Sequence, residues 1–442
     1  MRGLRKYCKL GFILVLILLA IFKISRKNTK PRTQRSVWIQ RFVRKVGALR
    51  HEEFKPLAYR MRHKYRKHFH HRILPGCAPS NDSKQERISK RHRHGRNEDT
   101  VKMYNHGKYI FVKNYATPLL QFECNESITF TTHGEFNFID NVVPIVERWE
   151  GPVTVAIYAP GYDFQEAVRR IHFLRECSSH LVKKLVTFHL FYDELYKTET
   201  KIPPPSTLNS IRMSSCKLNI SLLPLFGLSE YYLCFSDDFT VHDCVAAPVF
   251  GGNLTTFRSL KNLTYPVNVA RNFARSSAKT HFVLAADIEL YPSLNMIPMF
   301  LQMAKRKEAL PKHIPRNKSS DDPKVYVPPV FEVASTLPPP DTKSELLKLI
   351  KMKKAVPFHV ALCSYCHNLP GYNKWLRTKV KPGRVKPSHW TTRKNRFDWE
   401  PVFIGTNSDP LYHEELTWEG MRNKMSQVKT RKHIILTVIN SV

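Results

Sequence analysis

Asp287 and Glu289 stand two residues apart, directly behind the unbroken apolar run 282–286. Side chains two apart on an extended chain project to the same side, so both acids can face one point in space. Two hard oxygen donors of this kind suit Mn²⁺ or Mg²⁺, ions that commonly also hold substrate phosphates. The same spacing equally describes a solvated turn at a strand end. Arg271 and Arg275 lie four apart on one face of the helical segment just upstream. Their guanidinium forks match the oxygens of a diphosphate, or they are two surface arginines. Asp237 and Asp238 offer a second acidic pair. Being adjacent, they would point to opposite faces of a strand and converge less well.

The elements that must position these groups follow from the pattern around them. The run 282–286 reads as a strand buried on both faces, and Pro292 stops its ladder. Upstream, 265–275 reads as a helix feeding that strand. Strand patterns at 128–132, 152–158 and 185–192 alternate with helical spacing at 138–149 and 165–177. Such alternation predicts an α/β domain with a mainly parallel sheet and helices on both faces. In an open sheet of that kind ligands bind beyond the carboxyl ends of the strands. A capped helix at 293–307, a short strand at 325–327 among prolines and a basic helix at 344–354 complete the pattern.

The chain has 442 residues and a formal charge of +35. Residues 1–115 hold 30 Lys and Arg against 6 Asp and Glu, and the remainder 41 against 30. The excess is therefore a basic N-terminal arm rather than a basic fold. An apolar stretch of 13 residues, 10–22, extends to 18 over 7–24 if Lys9 and Lys23 snorkel. No small-residue cleavage site follows it, which favours an uncleaved signal anchor over a removed signal peptide. Six Asn-x-Ser/Thr sequons, at Asn81, Asn125, Asn219, Asn253, Asn262 and Asn317, place the body in the secretory lumen. That placement excludes nucleic acid as the partner of the basic arm and implies attachment to a membrane. The short span fits a Golgi single-pass type II protein. The expected order is a cytosolic tail 1–9, an anchor 10–24, a basic stem 25–115, a catalytic body 116–427 and a tail 428–442.

Nine cysteines are present, eight of them beyond Cys8, an even number that implies disulfides in an oxidising compartment. Cys363-Ser364-Tyr365-Cys366-His367 also fits haem attachment, a redox pair or half a zinc site. No second CxxC supports zinc, so structural cysteines are the expectation.

The stretch 268–293, NVARNFARSSAKTHFVLAADIELYPS, resembles the DxD region of glycosyltransferase family 49, which contains Golgi glucuronyltransferases. The resemblance runs from about 128 to 427 and continues through the Cys-x-x-Cys-His segment and Trp399-Glu400-Pro401. It implies a GT-A-like, Rossmann-type fold and a UDP-sugar donor, UDP-glucuronate first among candidates. The acceptor would be a glycan on a glycoprotein, as in O-mannosyl glycan extension, and the transfer inverting. Thr131, Thr132 and His133 would hold the nucleotide, with Arg271, Asn272 and Arg275 on the donor. Asp287 and Glu289 would hold Mn²⁺ or Mg²⁺, and Trp399 and Glu400 would meet the acceptor. Inversion requires a base for the acceptor hydroxyl, for which Glu400 and Asp398 are the candidates. Three departures stand against the family pattern. Glu289 replaces an Asp, His413 replaces an Asp, and the tail 428–442 lacks the family's terminal His-x-Gly histidine. The tail is expected to be foreign to the fold, as read-through of an intron would be. These departures also support an alternative, a catalytically impaired lumenal glycan-binding paralogue.

Overall fold

The computed structural model describes residues 101–197, 254–306 and 324–440, apart from 365, 368, 380–382, 393–398, 418–422, 425 and 428–434. The expected anchor, Asp237, Asp238, Asp398 and the sequons at Asn81, Asn219, Asn253 and Asn317 lie outside the described residues. Among the described residues no helix is long and apolar enough to cross a membrane.

In chain order the strands are β1 (Lys102–His106), β2 (Tyr109–Ala116), β3 (Ile128–Gly134), β4 (Val153–Tyr158), β5 (Val186–Asp193), β6 (Phe282–Ala285) and β7 (Lys324–Val327). They continue with β8 (Phe331–Val333), β9 (Ala355–Pro357), β10 (Lys386–Thr392), β11 (Ile404–Thr406) and β12 (Ile435–Asn440). β8 and β9 pair separately; the others form one sheet in the order β1-β2-β5-β4-β3-β6-β11-β7-β12-β10. Its centre, β5-β4-β3-β6, is parallel, as expected. Its flanks are antiparallel apart from the β7–β12 pair, which makes the whole sheet mixed.

The sheet starts earlier than the expected boundary at 116, because β1 and β2 form a hairpin laid against β5. Tyr109, Phe111 and Val112 are buried there. The surrounding lysines and the brevity of the hairpin hide this alternation in a basic stretch. At the other end, residues 435–440 of the tail expected to be foreign lie between β7 and β10. Ile-Leu-Thr-Val-Ile-Asn is rich in β-branched residues, which fit a pleated surface.

Side-chain alternation divides the central strands between two cores. Val153, Val155 and Ile157 of β4 join Phe130, Phe188, Leu190, Phe282 and Leu284 on one face, under the helices Val142–Trp149 and Met296–Lys305. Ala156 and Tyr158 join Phe191 on the other face, under the helix Val267–Arg275. Ala270, Phe273 and Ala274 press that helix onto the sheet, with Phe273 stacked 3.9 Å from Phe111. The helix ends at Ser276, whose amide and hydroxyl both bond back to the last turn.

Every residue of this helix is buried, including four polar ones. Asn268, Arg271, Asn272 and Arg275 are spaced i, i+3, i+4 and i+7, so they form one stripe turned away from the sheet. After β11 pairs with β6, residues 406–414 pass over that stripe and cover it. A second buried polar group sits under the same helix. His189 accepts a hydrogen bond from the Asn114 amide at 2.9 Å and lies against Phe273.

Burial, with a small contribution from Lys113, holds the His189 imidazole down to about 3. The unfolded chain then takes up a proton near pH 6.5 that the folded chain refuses. This contribution to stability is complete above pH 6.5 and is lost as the pH falls toward 3. Urea unfolding between pH 6.5 and 4 should show a slope of up to about 1.4 kcal/mol per pH unit from this group. His189→Gln, which keeps an acceptor for Asn114, should flatten that slope by a corresponding amount.

Candidate active site

The carboxyl ends of β3 and β6 lie side by side, joined beyond the last pair by the Ala286 amide bonding to the Thr131 carbonyl. Continuing the β6 alternation by two residues puts Asp287 on the helix Val267–Arg275 side, where His133 also projects. Asp287 Oδ1 accepts from Arg271 Nη2 at 2.9 Å, and Oδ2 from Lys424 Nζ at 2.5 Å. His133 Nε2 stands 3.7 Å from Oδ1, and its Nδ1 bonds to the Tyr265 hydroxyl at 2.8 Å. Arg271 is held in turn by Asn268 at 3.1 Å and Asn423 at 2.7 Å, with its guanidinium 5.4 Å from the Tyr412 ring centre.

Burial alone would push the Asp287 carboxyl up, but Lys424 and Arg271 outweigh it and hold it well below the usual range. Burial holds His133 below its ordinary value against the raising effect of Asp287, so its ring is neutral at pH 7. The contact set therefore carries one negative and two positive charges, a net of +1. Asp287 keeps about a quarter of its side chain open, 26%.

Glu289 does not continue the pattern. The chain turns at 288–289, with the Leu290 amide bonding to the Asp287 carbonyl. Ile288 enters the opposite core and Glu289 is exposed, so the two-residue alternation that would align the acids ends at Asp287. Among the described residues no group of three or more His, Cys, Asp and Glu side chains is arranged to hold a metal ion. Both oxygens of Asp287 already accept from cations, and a divalent ion there would be opposed by the charges of both. This donor set does not fit Mn²⁺ or Mg²⁺.

The other expected residues divide. Of 131–133, Thr131 and His133 share the Asp287 side of β3. Thr132 points into the opposite core, where its hydroxyl is buried. Arg275 is a correction to the paired-arginine reading. It donates to the carbonyls of Thr406, Asn407, Asp409 and Pro410, fully buried, and so holds the covering loop rather than a ligand. Asn272 likewise exchanges hydrogen bonds with the Tyr412 backbone and donates to Glu414. Trp399 packs with Val325, Val327 and Phe403 and is buried. Glu400 lines a cleft with Phe331, His367, Tyr372 and Trp399.

Cys363 and Cys366 form a disulfide with each other, in line with structural cysteines rather than haem or zinc ligands. Cys124 and Cys177 are disulfide-bonded as well. The histidine after this pair was not foreseen as a site residue. His367 donates from Nδ1 to the Glu400 carbonyl at 2.9 Å, leaving Nε2 as an acceptor. Burial first, then the charges of Lys424 and His359, bring it down to about 4. Lys424 and Asn423 were also missed. Each lies more than 135 residues beyond its partner, in a segment without a motif. A buried helical stripe with no apolar partner was the one available signal that something polar must cover it.

Removing Arg275 would leave several buried carbonyls without a donor, at about 1–3 kcal/mol for each group left unsatisfied. Arg275→Ala should therefore lower the unfolding free energy by roughly 3 kcal/mol or more, read from chemical denaturation.

A family model described as a glycosyl-transferase for dystroglycan matches residues 127–431. Beta-1,4-glucuronyltransferase 1 of Danio rerio is 27% identical over 308 residues, which cover 68% of this chain and 61% of that protein. The Homo sapiens protein of the same name is 24% identical over 307 residues, covering 68% and 62%. Xylosyl- and glucuronyltransferase LARGE2s of Danio rerio is 28% identical over 165 residues, covering 37% and 19%. The aligned part thus spans about three fifths of the length of the glucuronyltransferase relatives. The matched region begins one residue before β3 and takes in His133, Arg271, Asp287 and Lys424 alike. With more than half of its length matched by the family model, the chain belongs to glycosyltransferase family 49.

Proposed function

We propose that the protein is a glycosyltransferase that moves a sugar from a UDP-sugar to a glycan on a protein. Glucuronate is the first candidate, because the relatives named above are glucuronyltransferases. The observation that carries the reading is the convergence of Arg271 and Lys424 on Asp287 at the carboxyl ends of β3 and β6. Fixed cations at that place in an α/β sheet suit a nucleotide's phosphates. They are worth most when aimed at charge that develops during reaction.

In the proposed transfer an acceptor hydroxyl attacks the anomeric carbon from the side opposite the diphosphate. The bond from that carbon to the phosphate oxygen breaks, and its electron pair leaves with UDP. Arg271 and Lys424 neutralise the departing oxygen's neighbourhood. The hydroxyl proton passes to a carboxylate, for which Glu400 in the cleft beside His367 is the first candidate and Asp398, two residues earlier in the sequence, the second. One inversion results at the anomeric carbon. Neutral His133, fixed by Tyr265, lies against Asp287 without adding charge.

A Golgi, type II setting belongs to this proposal and draws on three features. The apolar stretch 10–22 follows a basic start, Asn262 is exposed and Asn125 half-buried, and disulfides are present. A second reading, a catalytically impaired glycan-binding paralogue, is favoured by one observation: Asp287 is already neutralised by side chains.

The purified full-length protein, supplied with a panel of UDP-sugars and a glycan acceptor, should release UDP fastest from UDP-glucuronate. Arg271→Ala should lower that rate by about 10²-fold, as for loss of one transition-state donor. If no UDP-sugar gave UDP above the no-enzyme rate, the transferase reading would fall and the glycan-binding paralogue would stand.

A further inference from the structure

We propose that Lys424 is the built-in counter-ion of the donor diphosphate, taking the place of a divalent metal, so that nucleotide binding here is metal-independent. The inference rests on the reading of this site as a nucleotide-sugar site and deepens it.

Four observations meet at one carboxylate. Asp287 spends one oxygen on Arg271 at 2.9 Å and the other on Lys424 at 2.5 Å, so an ion approaching either oxygen would meet a fixed cation. Lys424 is no loose surface group: its side chain is 14% exposed, and its ammonium lies 5.9 Å from the centre of the Phe358 ring. Arg271 is positioned independently, by Asn268 and Asn423 and by the Tyr412 ring. The turn at 288–289 leaves Glu289 exposed, so the second acid of the motif is not presented beside the first.

The charge balance agrees. Two carboxylates with a divalent ion and Arg271 would sum to +1. Asp287 with Arg271 and Lys424 sums to +1 as well, without any ion. An ammonium is a compact point charge with three donors and binds phosphate readily. Asp287 becomes a positioning residue, holding two cations side by side that would otherwise repel. An incoming phosphate would replace Asp287 as partner of Lys424.

The test is the affinity of the full-length protein for UDP, measured by titration calorimetry in EDTA and again in Mn²⁺. Wild type should bind UDP in EDTA within about threefold of its affinity in Mn²⁺, a difference below 1 kcal/mol. Lys424→Met should bind at least about tenfold more weakly in EDTA, the loss of one charge-assisted hydrogen bond. Lys424→Arg, which keeps the charge, should restore most of the affinity, and this separates charge from folding. In Lys424→Met, added Mn²⁺ should recover affinity, because Asp287 is then free to ligate. Wild-type binding that appears only with Mn²⁺ would overturn the inference and leave the proposed function standing. No binding of UDP under either condition would overturn both.

Discussion

A single carboxylate neutralised by two cations from distant parts of the chain sets the shape of this site. Asp287 reaches it because β6 delivers it, two residues past the ladder, onto the side of the sheet occupied by the helix Val267–Arg275. Arg271 reaches it because that helix is pressed down by Phe273, Ala270 and Ala274. Lys424 reaches it because the loop that follows β11 is drawn across the helix. An isolated ionised carboxylate or guanidinium would be costly to bury at this depth, and each partner removes the cost for the others. Fold and site are thus fixed by the same contacts.

The helix owes its unusual position to two faces with different jobs. One is apolar and packs on β3, β4 and β6; the other is a buried row of Asn268, Arg271, Asn272 and Arg275. That row carries no free charge to the surface. Its members satisfy backbone carbonyls of 406–413, side chains of 414 and 423, and Asp287. Arg271 faces Asp287, while Asn272 and Arg275 hold the loop. The difference of four residues that suggested an arginine pair therefore separates a site residue from a structural one.

The parallel centre of the sheet was readable from the sequence because buried strands of Val, Ile and Phe leave a continuous apolar signal. So were β3, β4, β5 and β6 to within a few residues, and the strand end that bears Asp287. Of the flanks, only the short strand β7 was. β1 and β2 are hidden among lysines, and β12 follows a loss of family likeness that says nothing about β propensity. Within the site, Asp287, Arg271 and His133 were legible because they sit at strand ends or on a helix with a clear period. Glu289 misled because period-two reasoning holds only while the chain stays extended, and the turn after Asp287 ends that. Lys424 and His367 were invisible because their roles come from tertiary contacts across long spans of sequence, which no local pattern encodes.

The 137-residue separation between Asp287 and Lys424 also has a meaning in time. At a synthesis rate of about 5–20 residues per second, roughly 7 to 27 s pass between the emergence of the two. During that interval the parallel block can close while Asp287 still waits for its second cation, and the polar row of the helix is bare. A nascent chain at that stage carries an uncovered polar row, which the segment 406–424 closes once it has emerged.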